Sequence, residues 1–165
     1  MTETARSITI RRAKATDVET IQQLIAAHSN QGLMLPRSRY KVFSRLQGFV
    51  VAEDEERQIA GCGALVILWG DLAEIQSLAV AADKIGQGYG KRIVEELIDH
   101  ARALEIPKVL TLTYQVEFFA RLGFSVTDKD AVPRKTWGEC LECPKLECCD
   151  ETAMIYQIMQ QKGEL

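Results

Sequence analysis

The 165-residue sequence predicts a single-domain α/β fold: a mixed, mostly antiparallel sheet flanked by helices on both faces. Three observations predict it. A chain of this length with 47% hydrophobic and 26% charged residues has the make-up of one globular domain with a sizeable core. Its apolar periodicities follow the order β-α-α-β-β-β-α-β-α-β-β, with no internal repeat, low-complexity segment or linker. In the middle, residues 71–90 run from a buried strand through a turn with Gly86, Gly88 and Gly90 straight into a helix.

Ser7–Arg12 alternates polar and apolar residues and is a half-buried first strand. Thr16 or Asp17 is placed to cap a helix whose stripe is Val18, Ile21, Leu24 and Ile25. That helix ends near His28, where Ser29-Asn30-Gln31-Gly32 is turn chemistry. After the apolar loop Leu33–Pro36, Ser38 caps a second helix reaching Leu46. Phe49–Glu53 and Ile59–Trp69 are strands joined by the charged turn Asp54–Arg57. Gly70-Asp71 leads into the central strand, whose apolar parity changes near Gln76–Ser77. Either a bulge or burial on both faces explains that change. A helix from about Tyr89 to Leu104 carries Ile93, Leu97, Ile98, Ala101 and Leu104 on one stripe, with Pro107 as its stop. Val109–Thr113 is a strand, and Val116–Leu122 a short helix whose Phe118 and Phe119 belong to the core. Gly123 ends that helix before the strand Phe124–Thr127; a long irregular loop, 128–150, precedes the last strand, Thr152–Ile158.

A strand feeding a glycine-rich turn into a helix makes an anion site. Glycine lets the backbone approach closely, and first-turn N–H groups have no partner inside the helix. The helix dipole adds partial positive charge, so the expected guest is a phosphate or pyrophosphate. The spacing Gly86-Gln87-Gly88-Tyr89-Gly90 is neither the Rossmann pattern nor an ATP loop, because no Gly-Lys-Ser/Thr follows. Leu78-Ala79-Val80 followed by Ile85-x-x-Gly88-x-Gly90 resembles the acetyl-CoA motif of the GCN5-related N-acetyltransferases. The departure is Ile85, where that family has Gln or Arg; Gln87, Lys91 or Arg92 could supply the polar contact. The run Ala120-Arg-Leu-Gly-Phe124 resembles a later motif of the same family, and the element order agrees with it throughout. The resemblance implies acetyl-CoA as co-substrate, held by Leu78, Ala79, Val80, Ile85, Gly86, Gln87, Gly88, Tyr89, Gly90 and Lys91.

Gln31–Ser38, Asp71–Ile75 and Leu112–Phe119 together resemble the acetyltransferase domain of bacterial N-acetylglutamate synthases in their short, single-domain form. The resemblance implies acetyl transfer to the α-amine of glutamate, and it allows a homodimer. An α-ammonium must lose a proton before it attacks a thioester, and Glu74 matches the base of those enzymes. The plain alternative is a solvent-exposed strand-end carboxylate. Arg37 matches a residue that contacts substrate glutamate, since a guanidinium holds a carboxylate bidentately. Arg39 and Arg45 compete with it. Leu35, Ser77, Gln115 and Lys145 complete the expected substrate set, Lys145 toward the second carboxylate. The tyrosine that many relatives use to protonate the leaving thiolate is replaced by Phe119; the substitutes available are Tyr114, which can donate a proton, and Gln115, which can only hydrogen-bond, with a half-buried strand-end tyrosine as the plain alternative.

A net charge of −3 provides no electrostatic footprint for nucleic acid. The N-terminus lacks the apolar core of a signal peptide, and the longest apolar run, around Ala64–Trp69, is too short to span a bilayer. A cytoplasmic, membrane-free protein is the expectation. Cys62 is a core residue; His28 and His100 are structural or solvated. Cys140-x-x-Cys143 with Cys148 or Cys149 has the spacing of half a zinc site, with Asp150 as a further oxygen ligand. Since a second ordered pair is missing, no metal is expected; zinc at Cys140, Cys143 and Cys149 is the alternative to loop packing. Two other readings stand beside the glutamate one: a different amino acid or small amine as acceptor, or a non-catalytic acyl-CoA sensor.

Overall fold

A computed structural model describes residues 7–129 and 150–158. Its strands are β1 (Thr9–Arg12), β2 (Phe49–Glu53), β3 (Ile59–Trp69), β4 (Leu72–Val80), β5 (Lys108–Thr113), β6 (Ser125–Val126) and β7 (Thr152–Gln157). The helices are α1 (Val18–Ser29), α2 (Arg39–Ser44), α3 (Tyr89–Ala103) and α4 (Val116–Arg121). The seven strands form one sheet in the order β1-β2-β3-β4-β5-β7-β6. β4 and β5 run parallel, with Leu72–Glu74 opposite Lys108–Leu110, whereas β1–β2, β2–β3, β5–β7 and β6–β7 are antiparallel. The α/β class and the mostly antiparallel sheet agree with the sequence expectation. Two compact units divide the chain, one up to Ala64 plus Ser77–Leu97, the other Leu65–Gln76 plus the described residues from Ile98 on.

In the first unit, Val18, Ile21 and Ile25 of α1 are buried in one cluster with Val42, Phe49, Val51, Cys62, Ala64 and Ala79. The start of α1 differs from expectation. The chain already turns at Ala15–Asp17, a single 3-10 turn, and neither Thr16 nor Asp17 caps α1 through its side chain. Asp17 instead points backward: its Oδ2 accepts from the Lys14 N–H at 2.7 Å and from Arg11 Nη1 at 2.7 Å, while Oδ1 accepts from Arg11 Nη2 at 3.0 Å. Arg11 Nε also bonds Glu53 Oε1 at 2.6 Å, which ties β1, β2 and the start of α1 together. The Arg11 hydrogen bonds hold the Asp17 carboxyl below its usual range. A folded-state pKa below the unfolded one stabilises above the unfolded value and is lost as pH falls through the folded one. Asp17→Asn is therefore expected to cost about 1–3 kcal/mol at neutral pH. The gap between mutant and wild-type melting temperatures should narrow well below pH ~4; a gap that stayed constant on acidification would contradict this assignment.

Ser38 caps α2 as expected, its Oγ accepting from the Lys41 N–H at 3.2 Å, but the helix stops at Ser44 and a 3-10 turn, Leu46–Gly48, completes the segment. The β2–β3 hairpin closes as the charge pattern suggests: Asp54 Oδ1 accepts from the N–H groups of Glu56 and Gln58, both at 2.9 Å. In β4, Leu72–Gln76 are buried in succession, and Ser77 then turns left-handed (φ 55°). Burial on both faces thus accounts for the parity change up to Gln76, and the backbone departs from extended geometry at Ser77.

α3 ends at Ala103, ahead of Pro107 and for a different reason. Glu105 is left-handed (φ 60°); its N–H donates to Arg102 O, and the Ile106 N–H to Ala101 O, both at 3.0 Å. This is a Schellman close. It swings Ile106 into the interior, so Leu104, expected on the buried stripe, is 49% exposed. α4 closes with the same pair of bonds, Gly123 N–H to Ala120 O and Phe124 N–H to Phe119 O, with Gly123 at φ 100°. Phe119 and Phe124 are buried and meet edge to face at 5.1 Å, a core arrangement. The strand expected at Phe124–Thr127 shortens to Ser125–Val126, and the first strand begins at Thr9 rather than Ser7.

Candidate active site

The first unit carries the glycine turn. Beyond Leu78–Val80, the Ala81 N–H donates to Ala60 O at 2.8 Å, and a 3-10 turn over Ala82–Lys84 leads into the loop. Gly86 (φ 80°) and Gly88 (φ 93°) are left-handed, which explains glycine at both. A Cβ on Gly86 would meet nothing within 4 Å, and one on Gly88 only Ile8 Cδ1 at 3.9 Å, so this backbone stands open. Arg92 N–H to Gly88 O, at 3.2 Å, marks the start of the helical ladder. The amides of Tyr89, Gly90 and Lys91 precede it, where an anion is favoured. The side chains contribute less. Tyr89 is buried and anchors the helix start, Ile85 is 65% exposed, and Gln87 Nε2 bonds Asp83 O at 3.0 Å within the turn itself. Lys91 lies 3.9 Å from Glu95 on the exposed face of α3.

α3 rests on β3 where β3 has no side chains. A Cβ on Gly63 would stand 2.7 Å from Ile93 Cγ2, and one on Gly61 3.0 Å from Ile93 Cδ1 and 3.1 Å from Ala79 O. Between them, the buried Cys62 donates its thiol to Ser77 O at 3.5 Å. Burial pushes that thiol's pKa up to about 12, so it is a structural cysteine, as its strand position suggests.

Arg37 is also in the first unit, half-buried just before the α2 cap, with Leu35 half-buried upstream. Its carbonyl accepts from Gln22 Nε2 at 3.3 Å, while Gln22 Oε1 accepts from Arg39 Nε at 3.1 Å. One α1 side chain thereby fixes the backbone at Arg37 and engages its competitor Arg39.

In the second unit, Glu74 is 3% exposed, which overturns the picture of a solvated strand-end carboxylate. Its Oε2 accepts from Gln76 Nε2 at 2.9 Å, and the intervening Ile75 O accepts from Thr111 Oγ1 at 3.4 Å. Gln76 and Thr111 do not figure among the sequence candidates. The available signal is the spacing Glu74-x-Gln76, which puts two polar side chains on one strand face among apolar neighbours. Tyr114 follows the end of β5, and its hydroxyl donates to Asp150 Oδ1 at 2.7 Å. The Gln115 N–H donates to Thr113 Oγ1 at 2.7 Å, while its side chain is exposed. Glu74 is level with Leu110, four residues before Tyr114 in the direction of β5. Ser77, the last of the expected substrate residues, is the half-buried left-handed residue in the first unit. Lys145 and Cys140, Cys143, Cys148 and Cys149 lie outside the described residues. Among the described residues, no group of three or more His, Cys, Asp or Glu is arranged for a metal ion. No described helix is long and apolar enough to cross a membrane.

Residues 16–124 match the acetyltransferase (GNAT) family. The chain belongs to that family. Like other GNAT enzymes it is an N-acetyltransferase that uses acetyl-CoA, and its open left-handed glycines before α3 suit a pyrophosphate bound through backbone amides. An amino-acid acetyltransferase of Mycobacterium tuberculosis is 37% identical over 84% of this chain and 82% of its own length. An uncharacterized N-acetyltransferase of Chlorobaculum tepidum is 34% identical over 88% of this chain and 94% of its own. Among solved structures, an M. tuberculosis protein in complex with CoA superposes with a TM-score of 0.81 at 31% identity, covering 92% of this chain and 99% of that one. N-acetylglutamate synthase from Neisseria gonorrhoeae, complexed with coenzyme A and N-acetyl-glutamate, gives 0.80 at 27% identity. That match covers 93% of this chain but 36% of the synthase.

Proposed function

We propose that this GNAT enzyme is an amino-acid N-acetyltransferase whose acceptor is the α-amine of L-glutamate, the activity of an N-acetylglutamate synthase and the first step of arginine biosynthesis. The observation that carries the reading is the buried, hydrogen-bonded Glu74 on the strand that runs on into the glycine turn. The amino-acid acetyltransferase and N-acetylglutamate synthase among the similar proteins support it.

In this reading Leu78–Val80 offers its backbone to the pantetheine arm and the turn at Gly86–Gly90 takes the pyrophosphate. Glu74, directly or through water, accepts the proton of the α-ammonium, and the free amine attacks the acetyl carbonyl. The thiolate departs as the carbonyl re-forms. It is a fair leaving group, so Tyr114 needs only to stabilise or protonate it; the tyrosine must first release Asp150. Arg37 holds one carboxylate of glutamate, because a buried carboxylate without a cationic or hydrogen-bonding partner is costly.

The test is CoA release with acetyl-CoA against a panel of amino acids. Glutamate should give the highest kcat/KM, with glutamine poorer because it lacks the second carboxylate. Arg37→Ala should raise the glutamate KM far more than the acetyl-CoA KM, and Arg37→Lys should recover only part of the loss, lacking the planar fork. A neutral amine or glutamine preferred over glutamate would remove the glutamate assignment and leave the acetyltransferase intact.

A further inference from the structure

We infer that Gln76 is a positioning residue for the reaction, acting through the carboxylate of Glu74. The inference rests on the reading of Glu74 as the base. Residues two apart in a strand project from the same face, and Gln76 is the next same-face residue after Glu74. Its Nε2–H reaches Glu74 Oε2 at 2.9 Å, in a place where both side chains are buried. The backbone between them is pinned from the neighbouring strand, since Thr111 Oγ1 donates to Ile75 O. Immediately afterwards Ser77 takes a left-handed conformation, so Gln76 is the last residue before the strand geometry breaks.

A glutamate side chain has three rotatable bonds, and a base is effective only if its oxygen stays within hydrogen-bond reach of the proton it removes. The amide engages one oxygen and so defines the carboxylate's rotation. Gln76 therefore selects the rotamer in which Glu74 can accept a proton.

The test is a double-mutant cycle on kcat, using the acceptor that the amino-acid panel ranks first. Gln76→Met preserves length and volume while removing the donor. It is expected to lower kcat about 10–100-fold, the worth of one hydrogen bond to a charged group. KM for both substrates should stay within about twofold, the signature of an interaction used in the chemical step. In the Glu74→Gln background the same substitution should change kcat by less than about twofold, because the group it acts through is gone. Equal losses in both backgrounds would mean a merely structural role and overturn the inference. So would an unchanged kcat in the single mutant. If Glu74→Gln alone kept full activity, the base reading itself would fail, a result distinguishable from either. Gln76→Leu is the substitute if the methionine variant does not fold, judged by its melting curve.

Discussion

Glu74→Gln is expected to lower kcat by about 10²–10⁴-fold, the usual contribution of a general base, with acetyl-CoA affinity close to wild type. The substitution suits this site. A glutamine there keeps an oxygen for the Gln76 amide and fills nearly the same volume, so the buried end of β4 has no reason to repack. What disappears is the proton acceptor. The deficit should therefore be in turnover, and calorimetry with CoA should give a dissociation constant within a few-fold of the wild-type value. The deficit should also shrink as pH rises, because a growing fraction of the acceptor amine is then already deprotonated. Equal rates for the two proteins across the pH range would exclude Glu74 from the mechanism.

The second large effect is expected at Gly88. Its φ of 93° strains any L side chain, by roughly 1–2 kcal/mol, yet a Cβ would meet nothing nearer than Ile8 Cδ1 at 3.9 Å. Gly88→Val should consequently fold, with a modestly lower melting temperature. Its branched side chain would cover the backbone at the start of α3, where the first-turn amides form the proposed phosphate site. Binding of CoA should fall below detection by calorimetry. Gly88→Ala separates the two effects: it carries the same backbone strain but covers less of the amides, so its affinity should lie between. A Gly88→Val protein that bound CoA as tightly as wild type would place the pyrophosphate elsewhere.

What the sequence made legible follows how local the physics is. β2 and β3 have the bounds expected from the sequence, because Asp54 and Gly70 are turn residues whose chemistry acts within a few positions. The two Schellman closes make the contrast. The α4 close uses Gly123 and can be read directly, whereas the α3 close uses Glu105, for which nothing in the letters signals a positive φ. The sequence pattern therefore puts Leu104 on the buried stripe with Pro107 barring any extension, whereas the Glu105 close exposes Leu104 and ends α3 one residue sooner. Asp17 has the composition of a helix cap, but Arg11, six residues earlier, and the Lys14 amide draw its carboxylate the other way. The left-handed glycines ahead of α3 and the burial of Glu74 are conformational facts that follow from local signals, a glycine-rich turn and an ionisable residue in an apolar strand. The Gln76–Glu74 hydrogen bond is not local in this sense, since it needs the strand to be built first.

The bare stretch of β3 under α3 has a consequence for how this protein can vary. The height of the helix above the sheet is fixed by contact, with Ile93 resting where side chains at Gly61 and Gly63 would otherwise be. The first-turn amides of α3 belong to the same rigid rod, so their elevation over the end of β4 follows from that seat rather than from the loop. Adding even one methyl group at Gly63 would jack up the rod, shifting the proposed anion cradle at its tip as well as loosening the core beneath. With the pyrophosphate at the proposed turn, cofactor affinity and thermal tolerance are geared together at these two positions. A lineage or an engineer seeking to adjust one without the other would have to work on the loop and leave the seat alone.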